Sequence, residues 1–339
     1  MEYTQIFADA EVREEFLDRF DEIRDAVSAS GGLESVGALE GILDVDGAAG
    51  ALKAMAEGTW QGDDSGLESI VRQFGRPVYL VRRNTFATVA DAPDNEAESL
   101  VVAAKVKAAR RRLEGVIPSV GRIDLRNHDM TWAGTAWMVA EDLAVTNRHV
   151  AEKFAKRGRG GFRFRANPMA QVHAYIDWLH EHGRPRQESR FKVTEVVWIE
   201  PDSSFCDAAL LRLAPTSESG ESLPPPIELA KGKDGLAVGR WVGVIGYPSI
   251  GRHDDPEDRM RIFNNIFECK RLAPGQLISF DGNRWIHHDA TTLGGNSGSV
   301  VVDLDTGRAL GLHFQGLPGK RNFAVPAADV ARLIRRRAS

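Results

Sequence analysis

From residue 121 onward the chain is cut into short apolar runs of strand length, separated by Gly, Pro and Asp turns. The runs are Thr135 to Val139, Leu143 to Thr146, Val193 to Ile199, Ala208 to Leu213, Trp241 to Ile245, Leu277 to Phe280, Ser299 to Leu304 and Ala309 to Phe314. That spacing predicts an antiparallel barrel or sandwich. Asp303-Leu-Asp-Thr-Gly307 predicts a hairpin turn between two of the strands. A closing helix is predicted from Pro326 to Arg337, opening at a proline and ending in arginines.

The first hundred residues read differently. Val12, Phe16, Phe20, Ile23 and Val27 recur at three- and four-residue spacing, which makes one apolar stripe on a helix. A break at Ser28 to Gly32 precedes a second helical stretch, Leu33 to Ala56. Arg76 to Arg82 reads as a strand. Ala97 to Leu113 reads as a helix with Leu100, Val101, Ala104 and Ala108 on its apolar side. Three parts follow: residues 1–75, a helical region suited to regulation or recruitment of a partner; residues 76–117, a linking strand and helix; and residues 118–339, the strand-rich unit. A length of 339 residues suits that plan.

The formal net charge of -5 provides no basic field to gather nucleic acid, so none is expected as a partner. No apolar stretch is long enough to span a membrane, and the acidic start lacks a signal-peptide core. A cytoplasmic location, without membrane attachment, is the expectation. Two cysteines, Cys206 and Cys269, suggest no disulfide framework.

Three segments carry chemistry. Leu143-Ala-Val-Thr-Asn-Arg-His149-Val delivers a histidine at the end of an apolar run. Cys206-Asp207-Ala-Ala-Leu-Leu places an aspartate at the start of another. Thr291-Thr-Leu-Gly-Gly-Asn-Ser297-Gly-Ser holds a serine in a glycine-rich loop. Each alone is commonplace; together they are what acyl transfer needs. A hydroxyl attacks, an imidazole takes its proton, and a carboxylate fixes the imidazole tautomer. Ser297, His149 and Asp207 are therefore the expected triad, with Asp207 preferred over Asp202, which looks like part of a surface turn. The glycines allow the N–H groups of Gly295 and Ser297 to converge on a developing oxyanion. No metal or organic cofactor is expected. His173, His180 and His182 read as surface residues of a polar loop, and His287 and His288 as packing residues, one of which could reach the substrate pocket.

These motifs give the chain a resemblance to the chymotrypsin-like serine peptidases, and within them to the bacterial glutamyl endopeptidase (V8-like) branch. Thr-Asn-Arg-His-Val is similar to that branch's histidine motif, Gly-Gly-Asn-Ser-Gly-Ser to its nucleophile motif, and Gly311-Leu-His-Phe-Gln-Gly to the strand after the nucleophile. Gly246-Tyr-Pro also recurs there. The resemblance covers about residues 118 to 335. It implies a mainly β fold of two antiparallel six-stranded barrels, here with a helical N-terminal region and a C-terminal helix. Val300 stands where relatives often have proline. The resemblance also implies that Thr291 and Thr292, with His313, line the S1 pocket, and that Phe314, Gln315 and Gly316 pair with the substrate backbone. A hydroxyl and an imidazole suit a substrate carboxylate, so cleavage after Glu or Asp is expected.

The expected function is an intracellular serine endopeptidase acting on partner proteins or peptides, in a regulated bacterial stress or phage-defence pathway. Two other readings compete. One is a catalytically silent peptidase fold used as a binding module. The other is a quality-control protease, against which stands the short tail after the Gly311 strand, too small for a peptide-binding domain.

Overall fold

The computed structural model describes residues 3–20, 22–23, 45–57, 59, 71, 74–87, 98–168, 170–184, 189–251, 259, 262–282, 284–317 and 321–337. A 3-10 turn (Tyr3–Ala8) leads into a helix (Ala10–Asp18) capped by the Asp9 side chain on Glu11 N. A second helix covers Val45–Ala56. The strands β1 (Tyr79–Arg82) and β2 (Thr85–Phe86) form a small hairpin. Two helices, Leu100–Ala108 and Arg110–Val116, lead into the barrels.

The first barrel comprises β3 (Val120–Arg126), β4 (Trp132–Met138) and β5 (Leu143–Thr146), then β8 (His173–Asp177), β9 (Arg190–Ile199) and β10 (Ala209–Leu213). Its order is β10-β5-β4-β3-β8-β9, closed by the β9–β10 pairing. A short helix (Arg148–Phe154) and the hairpin of β6 (Ala155–Gly158) and β7 (Gly161–Phe164) stand between β5 and β8. The second barrel comprises β11 (Trp241–Gly246), β12 (Arg271–Asp281), β13 (Trp285–His288), β14 (Val300–Asp303), β15 (Ala309–Leu317) and β16 (Arg321–Pro326). Its order is β11-β14-β15-β16-β13-β12, closed by β11–β12, with β1 added outside β12. The chain is thus mainly β, with two closed six-stranded antiparallel barrels and a C-terminal helix (Ala327–Arg337).

Each barrel has its own core, the first around Ile123, Met138 and Leu211, the second around Val244, Leu277 and Val301. A third cluster fills the space between them. Trp137, Val145 and Leu210 of the first barrel meet Ile245, Leu272 and Val300 of the second there, and Val330 and Leu333 of the C-terminal helix join them. The same cluster continues into the N-terminal helices. The stripe Val12, Phe16, Phe20 and Ile23 is buried in it, Phe16 packing on Phe74 at 4.8 Å and on Phe7 at 5.4 Å. Val27 and the stretch Ser28 to Gly32 lie outside the described residues, as does much of the second helical prediction.

Some elements differ from expectation. The buried face of the Leu100–Ala108 helix is Val102 and Val106, continued by Ala109 and Leu113, while Leu100 is exposed. The run Leu-Val-Val-Ala-Ala is apolar all round, so its spacing does not choose a face. The helix start chooses it: the Glu15 carboxylate accepts from the Leu100 and Val101 N–H groups and from the Ser99 hydroxyl. That contact ties the turn to the first helix. His173 is not in a loop but opens β8, and nearby Glu181 is buried against Lys270.

Candidate active site

β5 ends at Thr146, and the chain turns at Asn147 into the helix that carries His149. The turn is held from two sides. Asn147 Nδ2 donates to the Asp207 carbonyl at 2.9 Å, and Thr146 Oγ1 donates to the Thr135 carbonyl at 2.7 Å. Asp207 stands just before β10, which pairs with β5, so strand register brings the two side chains face to face. His149 Nδ1 lies 2.7 Å from Asp207 Oδ2, and the His149 backbone N–H donates to Oδ1 at 3.2 Å. Both carboxylate oxygens are therefore committed to one residue. This fixes the imidazole with its proton on Nδ1 and leaves the Nε2 lone pair free to accept a proton. Asp202 is turned to solvent and pairs with Arg148.

The Ser297 loop reaches across from the second barrel. The Thr135 N–H on β4 donates to the Ser297 carbonyl at 2.9 Å, and Gly298 N–H donates to the His313 carbonyl at 2.9 Å. The loop has no room to spare. A Cβ at Gly134 would fall 2.9 Å from the Ser297 carbonyl oxygen and 3.0 Å from Val150, the neighbour of His149. Gly134 thus lies between the serine loop and the histidine helix, and its missing side chain lets them approach. Gly295 and Gly298 both have positive φ, 82° and 92°, and a side chain at either would strike backbone, the Tyr247 carbonyl and the Thr135 carbonyl respectively. The Gly246-Tyr-Pro motif has its place here: Ser249 N–H donates to the Gly294 carbonyl at 2.6 Å.

The expected specificity residues gather on β15 and the segment before the serine. His313 is buried, and its Nδ1 lies 3.2 Å from Nε2 of His288, which is fully buried on β13. Burial is the largest cause holding both imidazoles below the usual histidine range, His288 to about 3 and His313 well below; each is also held down by a neighbouring histidine. Both are neutral at neutral pH. His288 Nδ1 is buried with no partner among the described residues. That nitrogen bears the lone pair, because an unpaired N–H is the costlier orphan. Nε2 of His288 then donates to Nδ1 of His313, and the His313 proton sits on Nε2. Of the two adjacent histidines before the nucleophile loop, His288 is the one that reaches His313. Thr292 Oγ1 donates to Asn322 Oδ1 at 2.6 Å, whereas the Thr291 hydroxyl is turned inward to the Arg76 carbonyl at 2.9 Å. Phe314 packs on Trp285 and Phe323. Gln315 and Gly316 are exposed and, among the described residues, pair only with β16, which leaves their other edge unpaired there.

Cys206, beside Asp207, is a free thiol that burial pushes up to about 12, which leaves it unreactive next to the site. His287 bonds Ser279 through Nδ1 at 2.6 Å and packs on Phe323.

Over 235 residues, 62% of this chain and 60% of its own length, a protein of Lysobacter enzymogenes named "Probable serine protease" is 34% identical. A glutamyl endopeptidase of Staphylococcus epidermidis is 24% identical over 218 residues, 64% of this chain and 66% of that protein. The chain therefore spans less than two thirds of either relative. Among solved structures, the serine endoprotease from Yersinia pestis superposes with a TM-score of 0.45 at 18% identity, covering 68% of this chain and 65% of its own. The sequence profile of the trypsin-like peptidase domain matches residues 134–312, more than half of the chain and a span that contains His149, Asp207 and Ser297, and the chain belongs to that family.

Proposed function

We propose that the chain is a serine endopeptidase that cleaves partner proteins or peptides by acyl transfer. Ser297 is the nucleophile, His149 the general base through Nε2, and Asp207 the group that holds the imidazole and stabilises its charged form. The N–H groups of Gly295 and Ser297 receive the oxyanion. The observation that carries this reading is the 2.7 Å contact of His149 Nδ1 with Asp207, made on a helix that Gly134 lets close on the Ser297 loop. Substrate adds as a strand to the free edge of Phe314 to Gly316.

Cleavage falls after Glu or Asp. His313 offers a neutral Nε2–H in a buried setting, and no acid stands among Thr291, Thr292 and His313 to receive a basic side chain. The glutamyl endopeptidase relative supports the same preference. Free Cys206 and Cys269 suit a reducing compartment, so the enzyme acts inside the cell on one or a few partners in a regulated pathway.

A fluorophosphonate probe labels the full chain and fails to label Ser297→Ala. A peptide panel shows acidic residues at P1. Labelling that persists in Ser297→Ala overturns the nucleophile. No labelling of the unaltered chain favours the silent binding module instead. Preference for Leu, Phe, Lys or Arg overturns the pocket assignment.

A further inference from the structure

A groove of about 650 Å³ lies between the segment leading into Asp207 and the C-terminal helix, and the catalytic reading makes no use of it. Its walls are residues 204–206, the turn at 232–236, the β12–β13 hairpin and the start of the helix. Leu236, Phe280, Trp285 and Ile286 give it an apolar lining. Phe205 stands on its rim, 53% exposed.

The charges around this lining are unbalanced. Four cations line the groove: Lys233, Arg284, Arg332 and Arg336. Arg332 is paired with Asp329, and Arg336 with Glu200 at 2.8 Å. Lys233 and Arg284 have no carboxylate partner among the described residues, and both are exposed. The Arg284 guanidinium lies over the Phe205 ring at 4.0 Å. An apolar cleft with a few polar groups at its edge is the ordinary form of a binding site. Here the polar groups are cations, one of them held on an aromatic face. The protein as a whole carries a net charge of -5, so this is a local excess and not part of a general basic surface.

We propose that this groove is an exosite for an acidic peptide segment bearing an aromatic side chain. The ring enters the apolar lining while its carboxylates meet Lys233 and Arg284. Two free cations beside so much apolar surface match a peptide with one or two acids near a ring. A polyanion would bring more charge than they balance. The groove also touches both halves of the catalytic site. Trp285 Nε1 donates to the Phe205 carbonyl at 3.0 Å, two residues before Asp207. The Trp285 ring packs at 5.7 Å on Phe314, in the strand assigned to substrate. A segment bound here lies against the supports of both Asp207 and the substrate strand.

The exosite stands apart from the catalytic proposal, because binding is measured in full-length Ser297→Ala. The probe is a fluorescein-labelled, C-terminally amidated hexapeptide, Gly-Asp-Phe-Asp-Gly-Ser, followed by fluorescence anisotropy. Saturable micromolar binding is expected. The double variant Lys233→Ala/Arg284→Ala weakens it at least about tenfold, the scale of losing charge-assisted contacts. Phe205→Ala weakens it separately, and all three substitutions are at exposed positions that leave the cores intact. His313→Ala, in the substrate cleft, leaves binding unchanged. The proposal is overturned if the double variant binds at full strength or if His313→Ala abolishes binding. It is equally overturned if the Asn-for-Asp peptide, a single-stranded oligonucleotide or tripolyphosphate binds as tightly as the probe.

Discussion

His288 and His313 lie 3.2 Å apart, nitrogen to nitrogen, in a space where burial keeps both neutral. A neutral imidazole has one proton, so which nitrogen holds it decides what the pocket offers. With His288 donating to His313 Nδ1, the free nitrogen of His313 is a donor and attracts a carboxylate. Without His288, His313 can place its proton on Nδ1, and the free nitrogen becomes an acceptor that repels one. His288→Ala is therefore expected to raise KM for acidic-P1 peptides by about tenfold, the worth of one charge-assisted hydrogen bond. Its effect on fluorophosphonate labelling of Ser297 should be less than about threefold, because the probe asks nothing of the pocket floor. His288→Gln, which keeps an N–H donor, should recover much of the loss. Equal damage to labelling and to acidic-P1 cleavage would mean that His288 only supports the fold. This partnership was not legible in the sequence, where His287 and His288 are adjacent and look alike. Alternation along β13 sends one toward Ser279 and the other toward His313. The pairing of His149 with Asp207 was legible, because the chemistry of acyl transfer restricts residue type more tightly than packing does.

Between elements, the contact that bears most on the site is the ion pair of Arg76 with Asp289. Both side chains are fully buried. Arg76 Nε donates to Oδ1 at 2.8 Å and Nη2 to Oδ2 at 2.5 Å, while Nη2 also reaches Gln276 Oε1 at 3.0 Å. The Arg76 carbonyl accepts from Thr291, two residues beyond Asp289, and its guanidinium lies 5.0 Å from the Trp241 ring centre. The approach to β1 is thus fastened to the segment that runs from Asp289 to Ser297. Arg76→Met leaves a buried carboxylate without its partner, which costs about 3–5 kcal/mol. It is expected to lower the melting temperature and to slow Ser297 labelling. The double variant Arg76→Met/Asp289→Leu removes both charges and should regain most of the stability. If labelling recovers with stability, the pair serves the fold alone; if labelling stays slow, the pair positions the serine segment. Sequence patterning showed β1 but not this contact, since nothing local marks a partner 213 residues away. β3, β8, β13 and β16 were passed over for a related reason. Gly121, Arg122 and Asp124 in β3, and His287 with His288 in β13, put polar or small residues where an apolar run was sought. The closed barrels bury those residues anyway.

At the scale of the whole molecule, the N-terminal helices are docked on the barrels through the cluster that also joins the barrels to each other. Phe7, Phe16, Phe20 and Ile23 pack there beside Phe74, Val102 and Val106. Arg19 ties the same helix to the Glu98 carbonyl at 3.0 Å, and a Cβ at Gly75, next to Arg76, would strike Ile6. The barrels' own cores are almost independent of this region. Among the described residues, the first contains none before Ile123, and the second contains only Val78 from before the linking helices. Deleting residues 1–60 should therefore leave two closed barrels. Loss of Phe16 alone is comparable to a core Phe→Ala change, about 3–5 kcal/mol, and the deletion removes several such side chains. It also uncovers Phe74 and removes Ile6 from beside the Arg76 turn. The truncated chain is expected to keep a β circular-dichroism spectrum, to melt at a clearly lower temperature and to label at Ser297 more slowly than the full chain. Adding Arg76→Met should then slow it little further, because the two changes act on one support. Full-rate labelling at an unchanged melting temperature would show that the segment supports neither the fold nor the site. A truncated chain that does not fold would make the segment part of the catalytic core. Slow labelling that a bound partner of residues 1–60 reproduces in the full chain would identify the docked helices as the means by which activity is restrained.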